Sequence, residues 1–463
     1  MAKVTDMTVG NPTKLLAAFA LPMLLGNLFQ QLYSMVDTLI VGRGVGVEAL
    51  AAVGAAGWLD WFVLGNIMGL MQGFTILISQ RFGAEDRQGL RKAVTMSVFL
   101  SGITIVVFTT LALLIARPIL VWMNTPAETI DMAHLYISII FCGIPIIVAY
   151  NLLAAILRAL GDSRTPLIAM VIASVINIVL DVWFVMGLSW GVAGAAAATV
   201  TAQLFSCLFC LYSVFRIPIL RMQKQDWRID WRTCGRLLKM GLPLALQNVV
   251  ISSGGLVVQY IVNGFGYIFV ASITAAHKVS SLMEQAGASF ASAMGTFAGQ
   301  NLGAKKYDRI RAGVRKAMKI TMIIAWTIAA LVILFGKYII RLFISDEPQI
   351  VEQVVNAAYP FLVIMCCCLF VLYALFVYRS TLQGMGDTLI PLLSGLVELG
   401  MRVGMIVLLT SVAGKYGVYV AEVSAWIGAA ILLMIAYYWR IAKICPREKK
   451  KKTPESSAQI PDA

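Results

Sequence analysis

Long apolar runs recur along the chain with a regular rhythm. Stretches of twenty or more apolar residues, broken by short clusters of Gly, Asp, Arg and Ser, predict membrane-spanning α-helices. The runs cover roughly 14–40, 48–80, 92–116, 130–158, 165–187 and 191–215, then 240–264, 268–300, 317–341, 351–383, 388–411 and 417–440. Turn signals such as Gly42-Arg43-Gly44, Gly161-Asp162-Ser163 and Gly386-Asp387-Thr388 separate them. The runs are continuous rather than alternating with period two, which argues against a transmembrane β-barrel. The expected class is an all-α membrane protein with twelve transmembrane helices. The first run continues from Lys14 to about Val41. It is too long for the core of a signal peptide and no small-residue cleavage site ends it, so it is expected to stay in the protein.

Composition strengthens this picture. Of 463 residues, 60% are hydrophobic and 13% charged, against about 45–50% and about 25% in ordinary soluble domains. The formal net charge is +14. In a soluble protein that excess would point to nucleic acid. Here the basic residues lie between apolar runs, which points to the inner face of a lipid bilayer, with no nucleic-acid partner. Thirty of the 37 Lys and Arg fall on one alternating set of segments: the N-terminus, 81–92, 158–164, 216–239, 305–319, Arg379 and the C-terminal tail. The other set holds Arg43, Arg117, Lys337, Arg341 and Lys415, while Lys278 and Arg402 lie inside runs. This bias predicts both termini in the cytoplasm of a multi-pass protein of the cytoplasmic membrane, and an even number of spans. The eight cysteines mostly lie inside apolar runs without metal-ligand spacing. Cys366, Cys367 and Cys368 are consecutive and point in different directions on a helix, so they are expected as reduced packing residues.

The two halves of the chain repeat. Gln80-Arg81-Phe82-Gly83-Ala84 matches Gln300-Asn301-Leu302-Gly303-Ala304, Leu21-Pro22 matches Leu242-Pro243, and Gly161-Asp162 with Pro166 matches Gly386-Asp387 with Pro391. Each half holds six runs, so both halves have the same orientation, related by an axis along the membrane normal. The predicted organisation is an N-terminal six-helix bundle (1–215), a basic cytoplasmic linker (216–239), a C-terminal six-helix bundle (240–445) and a disordered tail (446–463). Two pseudo-symmetric bundles around a shared cavity suit a transporter that works by alternating access.

At this point the chain resembles the multidrug and toxic compound extrusion (MATE) family, in its DinF-like branch. The resemblance rests on Pro22 to Asp37 in the first run, the Gln-x-x-Gly-Ala loops, the Gly-Asp-x-x-x-Pro loops and the Asn177-x-x-x-Asp181 helix. It covers nearly the whole chain, and its specificity lies in the order of these motifs.

Several polar residues inside the runs are candidates for chemistry. Gln30, Ser34 and Asp37 form one helical stripe with Tyr33 beside it, beyond the helix-bending Pro22. Asp37 either serves an intramembrane site or reaches the outer interface near Gly42-Arg43. Asn177 and Asp181 share a face of an otherwise apolar helix. They form either a binding site or an interhelical hydrogen-bonding pair, and Thr199 in the Gly/Ala-rich sixth run could join them. The resemblance implies more: positions matching Asp37, Asn177, Asp181 and Thr199, with the carbonyl at the Ala195 position, form a cation site of oxygen ligands. Such a site suits Na+, and a buried carboxyl pair would equally suit H+. No metal is expected beyond a Na+ there, and no cofactor beyond the coupling ion.

Asp60, between Trp58 and Trp61, either faces the cavity or sits in the outer interfacial belt. In the second half no acid lies between Pro243 and Gly266; Gln259 is among the polar positions there. That departs from branches of the family with an acid in the seventh span and favours coupling in the first half. Glu398 and Arg402 are spaced as a helical ion pair or as a charge-balanced cavity wall. His277, Lys278 and Glu284 lie along the eighth run, with His277 and Glu284 on one side. The expected function is a Na+- or H+-coupled antiporter exporting small organic, often cationic, compounds, acting as a monomer in the bilayer. The alternative is a flippase for a lipid-linked cell-wall or polysaccharide precursor. The chain has no HExxH or Walker motif, and an enzyme is not expected.

Overall fold

Proline, glycine and buried polar residues decide where the helices begin, bend and meet. The computed structural model describes residues 4–123, 125–342 and 348–445. The expected tail at 446–463 lies outside them. The first half contains α1 (Pro12–Gly44), α2 (Val47–Gly83), α3 (Arg87–Trp122), α4 (Ala127–Cys142), α5 (Ile144–Ala159), α6 (Arg164–Asp181) and α7 (Gly191–Phe215). The second contains α8 (Trp231–Asn263), α9 (Tyr267–Gly303), α10 (Tyr307–Arg341), α11 (Pro348–Gly384), α12 (Leu389–Ala413) and α13 (Lys415–Ile444). No strand occurs among the described residues.

Local chemistry sets the boundaries. Asn11 caps α1 by accepting from the Thr13 amide at 2.9 Å, with Pro12 at the first helical position. Asp86 caps α3 by accepting from the Gly89 amide at 2.8 Å. The run expected as one helix over 130–158 is two, α4 and α5, meeting at 48°. Gly143 lies at the corner, and Pro145 at the start of α5 has no amide hydrogen to continue the ladder. The segment expected as a linker over 216–239 is shorter, because 231–239 form the first turns of α8. Its remaining part docks on α3, where the Arg91 Nε donates to the buried Asp226 carboxylate at 3.0 Å and Thr95 Oγ1 donates to the Asp226 carbonyl at 2.8 Å.

Among the described residues ten helices are long and apolar enough to cross a membrane, and α4 with α5, taken as one bent span, makes an eleventh. The twelfth, α9, has the length, at 37 residues, but is more polar: it carries His277, Lys278, Glu284 and Gln285. It is packed on by α1, α2, α10 and α11; Glu284 and Gln285 are half-buried, while His277 and Lys278 are exposed.

The twelve crossings form two pseudo-symmetric six-helix bundles. α1 and α8 both have 33 residues, and α2 and α9 both have 37. The joined α4–α5 corresponds to α11, and α6 and α7 correspond to α12 and α13. Each half has its own core, and the halves exchange feet. Leu16, Phe19 and Ala20 of α1 are buried in the core of the second half, while Cys234 and Leu237 of α8 are buried in the core of the first.

At the end carrying the basic loops, the two halves are sealed backbone to backbone. A Cβ added at Gly83 would lie 1.9 Å from the Gln300 carbonyl oxygen, and one at Gly303 would lie 1.9 Å from that of Gln80. Only glycine permits so close an approach. The segment before α1 is stitched across the same seam: the Met7 amide donates to Gln300 Oε1 at 2.8 Å, and Asn301 Nδ2 donates to the Met7 carbonyl at 3.2 Å. Toward the other end, a Cβ at Gly54 or Gly57 of α2 would meet nothing within 4 Å. The halves therefore meet tightly at the basic end and part from each other above it.

Candidate functional site

A cavity of about 500 Å³ opens above the seal. It lies mostly within the first half, walled by α1, α2, α4, α5, α6 and α7. The second half contributes residues of α9 and α11, such as Thr296 and Gln383, to its inner end. The polar stripe of α1 faces it: Gln30, Tyr33, Ser34 and Asp37 all line the wall. Pro22 is buried one turn and more below, and α1 continues through it as a helix. Asp60 of α2 also lines the cavity, so of its two expected settings the structure has the inward one.

Asp37 and Asp181 lie close enough for each carboxyl group to act electrostatically on the other. Asn177 Nδ2 donates to Thr199 Oγ1 at 3.5 Å, joining α6 to α7 beside them. Ala195, one turn before Thr199, is fully buried. Asp181 itself is fully buried, at the point where α6 widens into a π-helical turn, Val182–Gly187. Such turns frequently mark functional sites because they re-aim side chains at the cost of regular packing. The sequence had no visible signal for this one.

The donor supply here is poor. Asp37 Oδ1, Asn177 Oδ1 and both carboxylate oxygens of Asp181 are buried without a hydrogen-bond donor among the described residues. Asp60 Oδ1 is in the same position. Leaving buried oxygens without donors costs about 1–3 kcal/mol each, more when charged. A cluster of this kind is complementary to a proton or a hard monovalent cation, both of which turn the oxygens into assets. The donor set of two carboxylates, one amide oxygen and one hydroxyl fits Na+, and among the described residues no group of three His, Cys, Asp or Glu is placed to hold a metal ion. Tyr33 and Tyr136 stand in the electrostatic field of Asp37, Asp60 and Asp181, tying all three acids to one site. Tyr136, Asn151, Gln203 and Arg158 were not singled out by sequence reasoning. Asn151 and Gln203, as polar residues interrupting apolar runs, could have been.

The charges of the second half are arranged differently. Glu398 and Arg402 do not pair with one another along α12. Glu398 binds Arg379 of α11, and Arg402 Nη2 donates to Glu422 of α13 at 2.7 Å. Glu284 of α9 lies in the field of Glu398, Arg402 and Glu422. The exposed His277 ring sits 5.4 Å from that of Phe361, and Lys278 is exposed too. Gln259 is half-buried and donates to Asn263 Oδ1 at 2.8 Å. None of these residues lines the cavity of the first half.

A two-halved helical bundle around a polar intramembrane cavity defines a membrane-embedded transporter. Its lineage is given by comparison with known proteins. The MatE family model matches residues 22–183 and 243–410, and the chain belongs to that family. It is 32% identical to the probable multidrug resistance protein YpnP of Bacillus subtilis, over 75% of this chain and 78% of that one. It is 27% identical to DNA damage-inducible protein F of Escherichia coli, over 72% and 73%, in keeping with the expected branch. A solved outward-facing conformation of a multidrug resistance MATE family transporter superposes with a TM-score of 0.89 at 26% identity, covering 96% of this chain and 98% of that one.

Proposed function

We propose that this chain is a Na+- or H+-coupled antiporter that exports organic, often cationic, compounds across the cytoplasmic membrane by alternating access. The observation that carries this reading is the Asp37–Asp181 approach beside Asn177 and Thr199, on the wall of a cavity sealed at the basic end. The positive-inside bias supports a cytoplasmic setting for that sealed end and both termini, and in that setting the cavity opens outward. A cation or proton entering from outside neutralises the paired carboxyls. That removes their repulsion, favours a more closed first half and releases the substrate outward. Return of the ion to the cytoplasm resets the pair. Coupling requires that ion and substrate bind the two states with different strength, and a shared cavity wall supplies that. Asp60 adds a second carboxylate for a cationic substrate, with Tyr33 and Tyr136 offering aromatic faces. One chain supplies every wall of the cavity, so a monomer suffices. A flippase for lipid-linked precursors is not favoured, because two acids and a single arginine on the wall do not offset a pyrophosphate.

The test is ethidium transport in proteoliposomes, with a Na+ gradient and a pH gradient imposed separately. At least one gradient should accelerate flux against the dye's own gradient. Dye flux indifferent to both would overturn the coupling, and no dye flux under any condition would overturn export of organic cations.

A further inference from the structure

Arg158 is the one charge on the cavity wall that the export reading leaves unused. It sits in the last turn of α5, where the sequence places it among the basic-end charges. The structure turns it inward instead, half-buried on the cavity wall, close to Tyr150 and Cys210. It is the only Lys or Arg among the lining residues, and its guanidinium has no hydrogen-bond or ion-pair partner among the described residues. Its counterparts inside the second half are treated otherwise: Arg379 is bound to Glu398 and Arg402 to Glu422. A guanidinium held among helices without a carboxylate is costly, and ionisable groups kept within a membrane domain mark the path of what is carried.

The internal repeat shows that the fold does not demand this charge. Gly161-Asp162 aligns with Gly386-Asp387, which places Gln383 at the position equivalent to Arg158. Gln383 lines the same cavity and donates to Gln247 Oε1 at 3.3 Å. A neutral amide therefore fits the equivalent place, and the positive charge is particular to the first half. The neighbouring Ala159 carbonyl accepts from Gln300 Nε2 at 2.9 Å, which fixes Arg158 at the sealed end. Asp37 and Asp60 lie toward the opposite ends of α1 and α2. The cavity is thus polarised, negative near its mouth and positive at its floor.

Resting on the export reading, we propose that Arg158 forms an anion subsite at the floor of the cavity, which receives a carboxylate of the exported compound. The planar guanidinium fork matches a carboxylate in geometry as well as charge. The transporter accordingly handles compounds that carry an acid on an aromatic, cationic body, and discriminates them from their esters.

Rhodamine 110 and rhodamine 123 share one skeleton and differ only in a free acid against its methyl ester. Their binding to the full chain in lipid nanodiscs is read by fluorescence polarisation. In Arg158→Gln the acid-to-ester affinity ratio should fall about tenfold, the loss of one charge-assisted contact. Arg158→Lys keeps the charge without the fork, and its ratio should fall between the two. An unchanged ratio in Arg158→Gln overturns the subsite, whether the two affinities stay put or fall together. If Arg158→Gln does not accumulate as folded protein, Arg158→Lys is decisive by itself, and an unchanged ratio there overturns the proposal. Binding of neither dye by the native chain sinks the export reading and the subsite together. Binding of the ester, with a ratio that ignores position 158, sinks the subsite alone.

Discussion

The two halves follow the same path helix by helix, yet they handle charge in opposite ways. In the first half, Asp37, Asp60 and Asp181 are gathered around Tyr33 and Tyr136 without a lysine or arginine in ion-pair contact among the described residues. In the second, Glu398 and Glu422 are each neutralised by an arginine from a neighbouring helix. One scaffold thus carries a half whose three gathered acids have no cationic partner among the described residues and a half where two acids are each paired with an arginine. Duplication supplied the geometry twice, and only side chains separate a site from a strut.

That contrast can be broken by experiment. The largest effect is expected at the free carboxyls. Asp181→Asn or Asp37→Asn should cut gradient-driven dye export by at least about a hundredfold, near the upper range of coupling free energies, while the protein stays folded in the membrane. Retained export in both variants would remove the first half's special status. The second half should answer in stability instead. Glu422→Gln strips the partner from Arg402, which is 7% exposed, and should cost about 3–5 kcal/mol, seen as a lowered melting temperature in detergent. A paired Arg402→Met and Glu422→Leu change should recover most of that loss. Export abolished by Glu422→Gln at unchanged stability would reverse the comparison.

A third test addresses the seam that joins the halves. Gly303→Ala puts a methyl group where the Gln80 carbonyl lies 1.9 Å away. The sealed state should lose ground, and a cysteine introduced at Ser79, on the inner wall of the cavity, should react about tenfold faster with reagent added from the basic side, the change expected for a shift of about 1.4 kcal/mol. The smallest effect is expected at the linker. Asp226→Ala removes the acceptor of Arg91 and should lower stability by about 1.5–3 kcal/mol without changing export per folded molecule.

The helices, their order and the duplication were legible because a bilayer demands long apolar runs and the repeat left matching loop residues. Asp37, Asn177 and Asp181 were legible for the same reason: a polar group in an apolar run stands out. What stayed hidden depends on which helices become neighbours. The i, i+4 spacing of Glu398 and Arg402 shows that they can meet, but not that Arg379 and Glu422 arrive from other helices to take them. Charge counting placed Arg158 and Arg379 with the loops, although their side chains turn inward. The 48° corner at Gly143 and the π-helical turn after Asp181 are packing outcomes, invisible to periodicity. Apolarity also passed over α9, on which four other helices pack and whose Glu284 and Gln285 are half-buried.

The stitch between Met7 and Gln300 joins positions 293 residues apart. Synthesis delivers the first long before the second, so a growing chain inserts its entire first half without the partner that shuts its inner end. Only when α9 has threaded the bilayer can the opening residues be drawn into place. The same contact that seals the finished molecule thus serves as a completion mark, and a truncated product lacking α9 would sit in the membrane as a bundle with its floor unmade.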